Sequence, residues 1–254
     1  MIKFDIISIF PQIFDSYFNE SIIKRALKNK LIKINIHDLR QWATGKHKKA
    51  CLPKPGCEQA CLPKPEGRRQ VDDRPYGGGA GMLLMVEPIA KALRALSTKS
   101  KIKSSKCRVI MLTPAGKKFT QREAERLSKY DHLILLCGRY EGFDARVDKF
   151  IDEKISIGDY VLAGGEIPAM VVMEAVARHI PGVIGHEHAL DEETFSKDLD
   201  YVEYPQYTRP EIYESQTPNH KSQTLRVPKV LLSGDHKEIR EWRQKMAKKK
   251  NNKI

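Results

Sequence analysis

The 254-residue chain predicts an α/β fold, a mostly parallel sheet with helices on both faces, followed by a small helical C-terminal domain. Three observations predict it. Strand-like and helix-like periodicities alternate from Met1 to Ile180, three Gly-rich loops follow successive strand-like runs, and the alternation stops after Pro181.

IKFDIISIF at the start reads as a strand, Ile13 to Leu27 as a helix carrying Phe14, Phe18 and Ile22 on one face, and IKINIHDL as a second strand. A long loop follows. Pro88 then leads a helix with Ile89, Leu93 and Leu96 aligned, and CRVIMLT is a third strand. Thr120 and Glu123 have capping-box spacing ahead of a short helix, after which HLILLC reads as a buried strand. The short strand EKISIG and an apolar helix from Pro168 to Ile180 close the alternation. Such βαβ repetition places ligands at the carboxyl ends of the strands. Beyond Pro181 the apolar periodicity fades, until Asp235 and Glu238 take cap spacing before a helix with Ile239, Trp242 and Met246 on one face. We therefore divide the chain into an α/β domain over 1–182, a linker over 183–193 and a small helical domain over 194–254.

ACLPKP occurs twice, at Ala50–Pro55 and Ala60–Pro65, a duplication within an insertion at about 50–67. Two copies do not make a repeat architecture, and four prolines exclude a helix or a central strand there. His47, Cys51, Cys57 and Cys61 lack both the C-x2-C pairs and the second His of a zinc site, so no metal centre is expected. Five cysteines, an odd number, imply no disulfide framework. No signal-peptide pattern or membrane-length apolar run occurs, and the expectation is a cytoplasmic protein. A net charge of +13 favours a polyanionic partner, above all nucleic acid. Much of that excess sits at 98–106 and in the tail from Lys245 to Lys253, where a solvated face is the plain alternative.

The chemistry-bearing residues cluster in loops. TPAG, CGRYEGFD and IGDYVLAGGEIP end three successive strands, and glycines there permit close backbone approach to a nucleoside-like ligand. Each taken singly reads more readily as a tight turn, whereas three clustered at one sheet edge favour the ligand reading. None is a G-x-G-x-x-G or P-loop motif, so dinucleotide and nucleoside-triphosphate sites of those kinds are disfavoured. A fourth loop, VDDRPYGGGAGM, combines charge, an aromatic ring and flexible glycines that suit closure over a substrate.

Taken in order, VDDRPYGGGAGM, CGRYEGFDAR, SIGDYVLAGGEIPAM, AVARHIPGVIG, YTRPE and SGDHKEIREWR closely resemble the bacterial tRNA (guanine-N1)-methyltransferases, over residue 1 to about 246. Two departures stand out: the ACLPKP insertion lengthens the link between KHK and VDDRPYGGG, and Glu193 stands where the family usually has Asp. The resemblance implies a SPOUT-class fold in which the three strand-end loops form a deep trefoil knot, which periodicity alone does not show. It implies a homodimer with active sites shared between subunits. Pro114, Gly138, Tyr140, Glu141, Ile157, Gly158, Asp159, Tyr160, Val161, Leu162, Gly164 and Gly165 would bind S-adenosylmethionine. Glu193 would act as general base and Arg178 as the electrophilic partner, while Asp72, Arg74, Tyr207 and Arg209 would contact tRNA. Asp191, Glu192 and Asp198 are neighbouring carboxylates that compete for the base role, and Glu174 is a helical salt-bridge candidate for Arg178. The implied reaction methylates N1 of the guanine immediately 3′ of the anticodon, with Mg²⁺ assisting. The alternatives are a knotted RNA methyltransferase with another target, or a catalytically impaired tRNA-binding protein.

Overall fold

A computed structural model describes residues 1–43, 70–99, 106–186, 189–215 and 223–249. The ACLPKP duplication, His47, Cys51, Cys57 and Cys61, most of 98–106 and the last residues of the tail lie outside the described residues. The chain divides into two compact units, Met1–Gly185 and His186–Ile254.

The first unit is built on five parallel strands, β1 (Ile2–Ser8), β2 (Ile32–Asp38), β3 (Cys107–Lys118), β4 (His132–Cys137) and β5 (Glu153–Ser156), ordered β2-β1-β4-β3-β5. Parallel central strands are covered on both faces and hence nearly uniformly apolar. All six residues of β4 are buried accordingly. Alternation divides the three central strands between two cores. Phe4, Ile6, Leu133, Leu135 and Cys137 face helices α1 (Ser21–Lys28), α3 (Gln121–Leu127) and α4 (Glu166–Arg178), whereas Ile7, Ile134 and Leu136 face α2 (Val86–Lys99).

The expected helix over Ile13–Leu27 is broken. A 3-10 turn at Pro11–Phe14 and one helical turn at Asp15–Phe18 precede α1, and Ser21 at the break has φ of 50°. Phe14 and Phe18 still enter the core, so the apolar spacing was sound while the continuity was not. The capping box before α3 does not form either: Thr120 is the N-cap but makes no side-chain cap bond, and the Glu123 carboxylate is engaged by Lys117 and Arg126. Strand β3 runs past the expected CRVIMLT and bulges over Thr113–Gly116. Ile155 pairs with Leu112 before the bulge and with Lys117 after it.

The second unit is sparer. Strands β6 (Ile212–Ser215) and β7 (Gln223–Arg226) form an antiparallel ladder, and α5 (His236–Met246) is capped by Asp235, whose carboxylate accepts from the amides of Lys237 and Glu238. Tyr201–Val202 pair with Lys248–Lys249 at the end of that helix. None of this unit's described residues is fully buried.

Candidate cofactor cleft at the strand ends

The sheet ends its strands at one edge, and there the three Gly-rich loops converge on a cleft of about 210 Å³. Its wall includes Leu112, Thr113 and Pro114 from the β3 bulge, Gly138 to Phe143 after β4, and Ile155 to Gly158 with Tyr160 to Gly165 after β5. The structure thus brings together Pro114, Gly138, Tyr140, Glu141, Ile157, Gly158, Tyr160, Val161, Leu162, Gly164 and Gly165. Asp159 is the exception among the expected cofactor residues. It is not on the wall, and its exposed carboxylate pairs with Lys118 at 2.5 Å. Arg139, Phe143, Ser156, Ala163 and Pro168 line the cleft without having been singled out from the sequence. Arg139 sits inside the CGRYEGFD string, so its loop was legible but its direction was not.

The loops are fastened to each other. Gly165 donates its amide to the Gly138 carbonyl at 2.9 Å, and Arg139 and Gly164 form an isolated antiparallel bridge. The approach leaves no room for side chains: a Cβ on Gly165 would lie 2.8 Å from both Cys137 Cα and the Gly138 amide nitrogen. Segment 71–84 is stitched on as well. Glu141 donates its amide to Met82, Leu84 to Gly142, and Asp144 to Leu84, at 2.9 to 3.0 Å. A Cβ on Gly81, at φ of 84°, would collide with the Glu141 side chain, so the second glycine cluster of VDDRPYGGGAGM permits this contact. Asp72 belongs to the short ladder with Leu84, and Arg74 lies exposed beside it. Partial burial of the Tyr140 phenol, with Asp72 nearby, pushes its pKa above the ordinary value. Tyr140 itself adopts φ of 61°, an uncommon conformation for a residue with a side chain.

Arg178 is the last residue of α4 and is half-buried. Glu174, its salt-bridge candidate, accepts a hydrogen bond from Tyr17. In the second unit Glu193 is half-buried, Asp191, Glu192 and Asp198 are exposed, and Glu192 accepts from the Tyr204 hydroxyl at 3.0 Å. Tyr207 and Arg209 are exposed, and the Tyr207 ring lies 6.3 Å from that of Trp242. Among the described residues no group of three His, Cys, Asp or Glu side chains converges as a metal site. No helix among them is long and apolar enough to cross a membrane.

An all-parallel sheet with a Gly-lined, largely apolar cleft at its carboxyl edge defines an α/β protein of the class that binds small ligands at its strand ends. Comparison with known proteins narrows this. Residues 2–56 and 64–254 match the family model for tRNA (Guanine-1)-methyltransferase TrmD. The tRNA (guanine-N(1)-)-methyltransferase of Dictyoglomus turgidum is 45% identical over 250 residues, which is 98% of this chain and 86% of that protein. The proteins of the same name from Carboxydothermus hydrogenoformans and Limosilactobacillus reuteri are 44% and 42% identical, covering 96% of this chain and 82% and 84% of theirs. The chain belongs to the tRNA (guanine-1)-methyltransferase family.

Proposed function

We propose that the chain transfers a methyl group from S-adenosylmethionine to N1 of the guanine immediately 3′ of a tRNA anticodon. The observation that carries this reading is the convergence of three Gly-rich loops on one cleft, in a chain whose relatives named above match 96% or more of it. The donor set fits such a cofactor. Leu112, Pro114, Ile157 and Leu162 offer apolar surface for a purine ring, the glycines expose main-chain groups to its polar edge, and Glu141 supplies a carboxylate for an ammonium. When bound, the sulfonium of the cofactor presents an electrophilic methyl.

The protein's own task is the guanine, whose N1 is protonated and poorly nucleophilic. In this reading the Glu193 carboxylate takes the N1 proton as N1 bonds to the methyl carbon, while the methyl–sulfur bond breaks and its electron pair stays on sulfur. Arg178 neutralises the negative charge that develops on O6. Glu keeps the functional group of the family's usual Asp; the extra methylene is accommodated by a shifted rotamer or backbone. Asp72, Arg74, Tyr207, Arg209 and the basic face of α5 hold the tRNA, phosphate contacts giving affinity and contacts to the opened base giving selection. Mg²⁺ assistance belongs to the same reading.

The active form is a homodimer with shared sites. Ile167 and Val171 are exposed apolar residues on α4, and Ile13 and Tyr17 are exposed on the adjoining turns. Apolar surface of this kind on a structural helix suits a self-complementary interface. The trefoil knot is likewise part of this reading, on the strength of the family membership. The test is product identity. With labelled S-adenosylmethionine and an unmodified tRNA carrying two guanines at the end of the anticodon, N1-methylguanosine is expected. A 2′-O-methylated nucleoside would assign the chain to ribose chemistry, and binding without product would make it a tRNA-binding protein.

A further inference from the structure

Glu166 begins α4, where an acidic residue is ordinarily a solvated partner of the helix dipole contributing about 0.3–1 kcal/mol. This one is only 1% exposed, and both of its oxygens are engaged. Ser8 Oγ, at the end of β1, donates to Oε1 at 2.6 Å, and Arg139 Nε donates to Oε2 at 2.9 Å. Arg139 also donates through Nη1 to the Ala163 carbonyl at 3.3 Å, and its guanidinium lies 4.7 Å from the centre of the Phe10 ring. Arg139 and Ala163 line the cleft, while Glu166 stands behind it. A Cβ on Gly164 would fall 2.2 Å from Arg139 Nε and 2.5 Å from Glu166 Oε2, so glycine is required there for the ion pair to close.

We infer that Glu166 is a positioning residue for the cofactor: one buried carboxylate braces the end of β1, the loop after β4 and the loop after β5 at a fixed separation. The inference rests on the reading of the cleft as an S-adenosylmethionine site. A buried ion pair is poor evidence for stability as such, because its desolvation offsets its attraction; what this one supplies is geometry. Without the carboxylate, Arg139 loses the partner that aims it, and the two loops keep only their backbone contacts. Displacements near 1 Å in such a wall weaken binding or rate up to about a hundredfold.

The test is calorimetric titration of S-adenosylmethionine into the wild type, Glu166→Ala, Glu166→Gln and Val172→Ala, with melting temperatures measured alongside. Val172 is buried in the same helix but is absent from the cleft, so its truncation reports what mere destabilisation does. Gln keeps an acceptor for Arg139 and a donor for Ser8. Glu166→Ala is expected to raise Kd by roughly tenfold or more, Glu166→Gln by under about threefold, and Val172→Ala by under about twofold. If Glu166→Ala fails to fold, Ser8→Ala is read in its place, with a rise in Kd of about threefold expected and an unchanged Kd contradicting the inference. Equal losses in Glu166→Ala and Val172→Ala, or none in Glu166→Ala, would overturn it. A wild type that does not bind S-adenosylmethionine would instead overturn the cofactor reading, and the inference with it.

Discussion

The two units of the chain solve opposite problems. In Met1–Gly185 the loops that wall the cleft are fixed by the protein itself: strands buried on both faces end in loops that are hydrogen-bonded to one another, with glycines where backbones touch. In His186–Ile254 no described residue is fully buried, α5 has no buried side chain, and Tyr207, Arg209, Tyr213 and Leu225 are exposed. A unit so thin has little apolar burial to set against chain entropy. Preorganisation suits a small cofactor, and an open, basic, aromatic surface suits a large polyanion.

Variants can break that comparison, beginning with the largest effect. Asp5 is buried in β1 and accepts from Asn35 at 2.7 Å, with His132 at 2.5 Å, His37 at 2.8 Å and Lys3 at 2.5 Å also against its carboxylate. Burial alone would push its pKa up, but these four partners outweigh it and hold the carboxyl far below the usual range. A folded pKa below the unfolded one means that the stabilisation is fully present at neutral pH. It begins to fade as the pH falls below about 4 and continues to fade toward the folded value. Asp5→Asn should cost about 3 kcal/mol at pH 7 in urea unfolding, and the cost should shrink in acid. An equal loss at pH 7 and pH 3 would show that the network does not act through its charge.

Gly165→Ala should cost roughly 2 kcal/mol and lower the melting temperature by about 5 °C, since its new methyl meets backbone that cannot step aside. If the wall is preformed as described, cofactor affinity falls with it. Arg209→Ala should weaken tRNA binding by about tenfold at low salt and reduce the salt slope by about one, leaving cofactor affinity untouched. Smallest is Asp159→Ala. Its ion pair with Lys118 is exposed, so stability should change by under about 0.5 kcal/mol and cofactor affinity by under about twofold.

How much of this was legible in the sequence varies with the kind of signal. HLILLC was readable as a buried strand because its run from Leu133 to Cys137 is unbroken and apolar, and such a run bounded by polar residues has few other uses. The Asp235 cap was readable because its partners lie two and three residues away. Continuity through Asn19–Ser21 was not, since the apolar period carries across a backbone break. Arg139 and Glu166 were hidden for a different reason. They are 27 residues apart, and only the meeting of two loops after neighbouring strands makes them partners. Asp159 shows the converse, since membership in a binding loop does not fix which way a side chain points.

The central claim, that cofactor binding is complete in the first unit while the proton-accepting carboxylate is carried by the second, is tested most directly by one paired measurement on Glu193→Gln. S-adenosylmethionine affinity and N1-methylguanosine formation are measured on the same preparation. The account predicts an affinity within about twofold of the wild type and a methylation rate lower by at least roughly a hundredfold. An unimpaired rate would contradict it and move the base to Asp191, Glu192 or Asp198; a lost affinity would contradict the separation of the two tasks.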